Sequence, residues 1–179
     1  MAEAFSNKLA RAVGVVTTSS AGSIGVTTNL ITGISTTNVT VGDIVDNTNY
    51  IAGTNVSSIG VNSTTCDRNS TNEAAATSQN VKYLGLTTAY TSAASTKSIL
   101  IGGTFANNTN SEVNVTVSVY DNSATSEVAL ASKIPVPNGS SFVVSDTGKT
   151  VLEALDGIRV YCDTANAIDV SLSILTGVS

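Results

Sequence analysis

The run Glu112-Val-Asn-Val-Thr-Val-Ser-Val-Tyr120 constrains this chain more than any other stretch. Val113, Val115, Val117 and Val119 alternate with Asn114, Thr116, Ser118 and Tyr120. A strand turns successive side chains to opposite faces, so the run has one apolar face and one wet face. Its β-branched residues suit a pleated, half-buried surface. Ile168-Asp-Val-Ser-Leu-Ser-Ile174 repeats the pattern, with Ile168, Val170, Leu172 and Ile174 inward. Between the two lie short apolar runs at 133–137, 138–144 and 156–162, each bounded by Gly, Pro, Asn or Asp. Short alternating strands with such punctuation predict an all-β chain whose main body, residues 81–179, is an antiparallel β-sandwich, jelly-roll-like, or a barrel.

Only 12% of the 179 residues are charged, about half the usual fraction for soluble proteins. The polar surface therefore comes from Thr, Ser and Asn, which favour strands and turns over helix interiors. Unguarded strands of this kind lack the lysines and prolines that normally blunt sheet edges, which points to a homo-oligomer, with a trimer favoured. The net charge is −5 and the pI about 4.4. No basic patch is present to bind nucleic acid, and no polybasic segment to bind an anionic membrane. No apolar run approaches the roughly 20 residues of a membrane span. The first eight residues lack the basic-then-apolar order of a secretory signal, so synthesis and folding in a cytoplasm are expected.

Read in order, the chain divides into an N-terminal arm and loop (1–26), a small glycine-punctuated β module (27–70), a linker without bulky residues (71–80) and the sandwich (81–179). Within the arm, Phe5, Leu9 and Val13 recur at helical spacing with Lys8 and Arg11 opposite, which predicts a short helix or an extended arm over 1–16. These five residues are the candidate partner-binding set: too few apolar groups to fold alone, with positive charge in an otherwise acidic chain. Residues 17–25 read as a loop, 81–90 as one strand leading into the sandwich, and Val151–Leu155 as a helical turn.

The chain has no histidine. That removes Ser-His-Asp and Cys-His catalysis and histidine-zinc sites. Cys66 and Cys162 are too few for a four-cysteine zinc site, and Cys162 reads as a small core hydrophobe. Gly102-Gly103 lacks the Lys-Ser/Thr ending of a phosphate-binding loop. Asp43 with Asp46, and Glu153 with Asp156, could hold a cation or act as an acid–base pair; their ordinary role is to cap turns. The expectation is a chain without catalytic residues, metal or cofactor, with an enzyme on a jelly-roll scaffold as a remote alternative.

Several segments follow a family order: Phe5-Ser-Asn-Lys-Leu9, Ser98-Ile-Leu-Ile-Gly102, Ile134-Pro-Val-Pro-Asn-Gly-Ser-Ser141, Thr150-Val-Leu-Glu-Ala-Leu-Asp-Gly-Ile-Arg-Val160 and Asp169-Val-Ser-Leu-Ser-Ile-Leu175. Together they resemble a family of small β-sandwich virion proteins of tailed bacteriophages, of the marine and cyanophage type. Residues 30–68 depart from that pattern as an inserted unit, and Val41 to Gly60 is similar to a glycine-punctuated repeat of phage fibres. The resemblance implies a structural role on the virion, as a head decoration or a neck or tail accessory that binds other virion proteins. The alternative is a fibre or adhesin-type module recognising a host glycan, with Tyr50, Tyr83, Tyr90, Tyr120 and Tyr161 as stacking candidates.

Overall fold

A computed structural model describes residues 3–14 and 16–178. Its regular structure is entirely β, in fourteen strands. β1 (Ala4–Val13) opens one compact unit. A second unit follows, built from β2 (Val16–Ile24), β3 (Leu30–Thr32), β4 (Ile44–Asp46), β5 (Val56–Gly60), β6 (Ser63–Cys66) and β7 (Ala76–Leu84). The first unit then resumes with β8 (Thr87–Thr91), β9 (Lys97–Asn107), β10 (Val113–Asp121), β11 (Ser126–Val136), β12 (Ser141–Leu152), β13 (Gly157–Cys162) and β14 (Ile168–Val178).

The first unit is a sandwich of two antiparallel four-stranded sheets, β1-β14-β9-β12 and β11-β10-β13-β8. Numbering its eight strands in sequence, one sheet holds strands 1, 8, 3 and 6, and the other holds 5, 4, 7 and 2. That interleaving is the double Greek key of a jelly roll. Its core comes from the alternation seen in the sequence. Val113, Val115 and Val117 of β10 are fully buried, as are Ile168, Leu172 and Ile174 of β14, with Val170 nearly so. Phe105 and Phe142 pack across β9 and β12 with ring centroids 6.0 Å apart. Tyr90, Ser92 and Ser98 enter this interior as a closed hydroxyl network, the Tyr90 and Ser98 oxygens 2.7 Å apart. Buried hydroxyls are tolerated when each finds a partner.

β1 replaces the predicted N-terminal helix or free arm. Phe5, Leu9 and Val13 lie four residues apart, a spacing that puts residues on one face of a helix and equally on one face of a strand. Pairing decides between the two: β1 runs antiparallel to β14, from Ala4 opposite Thr176 to Val13 opposite Ile168. The register shifts between Ala10 and Val13, where β1 carries one extra residue. A bulge of this kind turns the strand over. Val13 therefore enters the core, fully buried, while Phe5 and Leu9 remain outside.

The second unit spans Val15–Leu86. It takes in the predicted 17–25 loop, the 27–70 module, the 71–80 linker and the first half of the predicted 81–90 strand. Its sheet order is β4-β7-β2-β3-β6-β5. β4 also pairs on its other side: Val45 N–H donates to Thr54 O at 2.7 Å, Val56 N–H to Asp43 O at 2.9 Å, and Ile44 bridges Asn55. Thr54–Val56 leads into β5, so the six strands close into a small antiparallel barrel. Where these segments meet, the sheet has no open edge. The loop reading failed at 17–25 because Ser and Thr carry no apolar stripe; here Ser19 is buried and its hydroxyl accepts from Ser35 N–H at 2.8 Å. The linker reading failed because β7 begins at Ala76, and because Asn72 ties the segment back to the barrel by donating to Gly25 O at 2.9 Å. Nor is Val151–Leu155 a helical turn: Val151 and Leu152 end β12, and Asp156 caps the turn after them by accepting from Glu153 N–H at 2.9 Å.

Candidate interaction faces

The outer face of the sheet β1-β14-β9-β12 carries the largest exposed apolar groups of the jelly roll. Strand register aligns them in rows. Phe5 stands opposite Leu175, Leu175 opposite Ile99, and Ile99 opposite Val151. Four residues along β1, Leu9 stands opposite Ser171, Ser171 opposite Thr104, and Thr104 opposite Val143. Phe5 and Leu9 are 78% and 76% exposed, and Val143 and Val151 54% and 52%. The sheet thus shows water an apolar row and a second row with apolar ends. Beside Leu9 a shallow depression of about 270 Å³ is lined by Arg11, Thr104, Ala106, Asp169 and Ser171.

Of the sequence-predicted partner-binding set, Phe5, Lys8, Leu9 and Arg11 are all exposed on β1. Val13 is not: it belongs to the core. Ile99, Val143, Val151 and Leu175 complete the face and were missed in the sequence. Each sits next to a more deeply placed apolar residue in its strand (Leu100, Phe142 or Val144, Leu152, Ile174), so each run read as uniformly inward. Only the period of two within those runs could have separated the outward members.

The other sheet carries a polar cluster on its outer face. Arg159 of β13 donates to Glu127 of β11 at 3.1 Å and lies over the Tyr120 ring at 3.5 Å. Ser118 hydrogen-bonds the same carboxylate. The ion pair is three-quarters or more buried, and the cation–π contact adds to it. The Arg159 side chain is thus held between the Glu127 carboxylate and the Tyr120 ring.

In the barrel, Tyr50, Cys66 and Tyr83 are buried together. Tyr50 donates to Thr28 O at 3.0 Å, and the Tyr83 hydroxyl lies 2.8 Å from that of Thr64. Burial pushes the Cys66 thiol from an ordinary 9.0 up to about 11, helped by Asp67 and opposed by a hydrogen bond with Tyr50. Burial likewise pushes Tyr83 from 10.0 up to about 12 and raises Tyr50 beyond the usual tyrosine range. A raised thiol is a poor nucleophile. Below pH 9 these groups are protonated in both folded and unfolded chains, and their burial stabilises in full. From pH 9 upward the unfolded chain ionises first, so barrel stability falls as pH rises through the folded values. At 1.36 kcal/mol per pKa unit the Cys66 part is on the order of 2 kcal/mol. Denaturant titrations at pH 8 and pH 11 should show that loss, and Cys66→Ala should remove the part arising between pH 9 and 10. Equal stability at both pH values would count against the buried cluster.

The tyrosines offered as glycan-stacking candidates are largely enclosed. Tyr50, Tyr83, Tyr90 and Tyr161 are buried, and Tyr120 lies under Arg159. Asp43 caps its turn, accepting from Thr40 N–H and Oγ1, both at 2.8 Å. Glu153 pairs with Lys97 at 3.0 Å. Among the described residues no three His, Cys, Asp or Glu side chains gather as a metal site. Cys66 and Cys162 are free thiols, both buried, one in each unit.

No family model, curated protein or solved structure matches the chain. Its class rests on strand order: an all-β protein, an eight-stranded jelly roll with a six-stranded barrel inserted between its first and second strands.

Proposed function

We propose that this is a structural protein of a tailed-phage virion, acting as a head decoration or a neck or tail accessory through contacts with other virion proteins. The observation that carries the reading is the exposed apolar face of Phe5, Leu9, Val143 and Val151 on one sheet of the jelly roll, aligned in rows by strand register. Isolated soluble proteins rarely leave large aligned apolar groups in water. Burying each such side chain contributes roughly 1.5–3 kcal/mol before ordering costs. A broad sheet face suits a protein surface. The glycan-binding alternative has less support, because saccharide sites use exposed aromatic rings and polar groups in a cleft, and most tyrosines here are interior.

Purified particles test the proposal. The protein should be found on them by mass spectrometry and located by electron microscopy of labelled particles. Phe5→Ser with Leu9→Ser should leave melting nearly unchanged, since both side chains are mostly in water already, and should reduce incorporation by tenfold or more, about 1.4 kcal/mol. Wild-type incorporation of that double variant, or absence of the protein from particles together with retention on a glycan array, would defeat the proposal.

A further inference from the structure

We propose that β1 is a self-recognition edge, which pairs antiparallel with β1 of a second copy about a two-fold axis through Asn7. The inference concerns the isolated protein and does not depend on the virion assignment.

β1 is an edge strand ten residues long that hydrogen-bonds with β14 on one side; among the described residues no strand pairs with its other side. Such an edge presents a row of free backbone donors and acceptors, a template for strand addition. Neither proline nor glycine interrupts it. Its one bulge lies at the far end, beyond Ala10.

The side chains select the partner. In a two-fold antiparallel pair centred on Asn7, every residue faces the one equally far on the other side of Asn7. Phe5 then faces Leu9 of the second copy, and Leu9 faces its Phe5. Glu3, one residue before β1, faces Arg11, so opposite charges meet at both ends of the pairing. Lys8 faces Ser6, and Ala4 faces Ala10. Directly opposed residues point to the same side of a sheet, so both apolar pairs fall on the exposed face already described. Neighbouring registers lose these matches. Centring on Lys8 sets two ammonium groups against each other and Phe5 against Arg11. Centring on Ser6 sets Leu9 against Glu3. The strand is complementary to itself in one register, and its edge lysine disfavours the adjacent one. The result is a continuous eight-stranded sheet across two jelly rolls. An isologous contact of this kind closes as a dimer and does not propagate, so the favoured assembly is two-fold instead of the trimer expected from composition.

Sedimentation velocity of the full chain across a concentration series should show a reversible monomer–dimer equilibrium. Arg11→Glu places like charges opposite each other at both ends and should weaken dimerisation about tenfold or more. The double variant Glu3→Arg/Arg11→Glu reverses both partners and should restore it. In an antiparallel pair, opposed Cα atoms lie about 4.5–5.5 Å apart, within disulfide reach. Asn7→Cys should therefore cross-link to a covalent dimer on mild oxidation, undisturbed by the buried native thiols. Ser173→Cys, in the same row on β14, is the control. Three strand spacings, about 14 Å, separate it from its mate, so it should not cross-link. A strictly monomeric protein, a trimer indifferent to the charge swap, or Asn7→Cys linking no faster than Ser173→Cys would each overturn the proposal. If Arg11→Glu failed to fold, the cysteine pair would decide alone.

Discussion

Val117→Asp should abolish cooperative folding of the jelly roll. Val117 is fully buried at the middle of β10, with Val160 of β13 on one side and Ala131 of β11 on the other. The substitution puts a carboxylate where no donor faces it. Either the charge stays unpaired in an apolar interior or the group is held protonated far above its usual range. Both routes, with the lost packing, cost on the order of 4 kcal/mol or more. A domain has about 5–15 kcal/mol in total. Val119, two residues on, is only partly buried, so Val119→Asp should cost visibly less. Denaturant melts followed by circular dichroism, with proteolysis and mass spectrometry, check the order. The jelly-roll peptides should become cleavable in the Val117 variant while residues 15–86 stay protected as a separate unit. A Val117 variant as stable as the Val119 one would mean that β10 presents its other face inward.

Gly14→Ala should be nearly as damaging, for a reason that lies in the backbone. Gly14 adopts φ +100°, a region that residues with a Cβ rarely enter. An added Cβ would lie 2.0 Å from Cys162 Sγ and 2.4 Å from Thr164 O. Neither neighbour can yield easily. Gly14 O accepts from Asn166 N–H at 3.1 Å and Val13 O from Ala167 N–H at 3.0 Å, which fixes this backbone against the turn before β14. Overpacking of about 1–3 kcal/mol and conformational strain of about 1–2 kcal/mol act together. Cys162→Ala in the same background removes one of the two obstacles and should recover part of the loss. Wild-type stability of Gly14→Ala would show that the chain leaves β1 by another path.

The jelly roll was legible where one face of a strand is buried and the other wet. β10 and β14 show that alternation plainly, and their neighbours are cut apart by turn residues. β1 was not legible, because a four-residue repeat satisfies both helical and strand periods. Only its hydrogen bonds to β14, far away in sequence, choose between them. The barrel was legible in pieces. β3, β4, β5 and β6 fall within the predicted β module of 27–70, but β2 carries Ser and Thr where a core strand would show valine, and the barrel's closure depends on Thr54–Val56 meeting β4. The single predicted strand over 81–90 is two strands in different units, β7 ending at Leu84 and β8 starting at Thr87. Local pattern does not mark that change of partner. The outward apolar face was half legible: Phe5 and Leu9 stood out because little around them is apolar, whereas Val143 and Val151 were hidden within apolar runs.

The placement of the inserted barrel bears on how quickly the jelly roll can form. β1 must pair with β14 at the opposite end of the chain and pack against β8 of the facing sheet across roughly 70 intervening residues, and such long-range contacts form slowly. Val16, at the start of β2, pairs directly with Leu84, at the end of β7. Once the barrel has folded, the two ends of the insertion are therefore neighbours, and the long excursion behaves as a tight connection. The loop-closure entropy spared is about 2–3 kcal/mol on a logarithmic scale of loop length. Most of that gain falls on the folding rate if the barrel forms first. Barrel folding would then be the step that brings the jelly roll's first two strands within reach of each other, and mutations that slow the barrel would slow a unit whose core they do not touch.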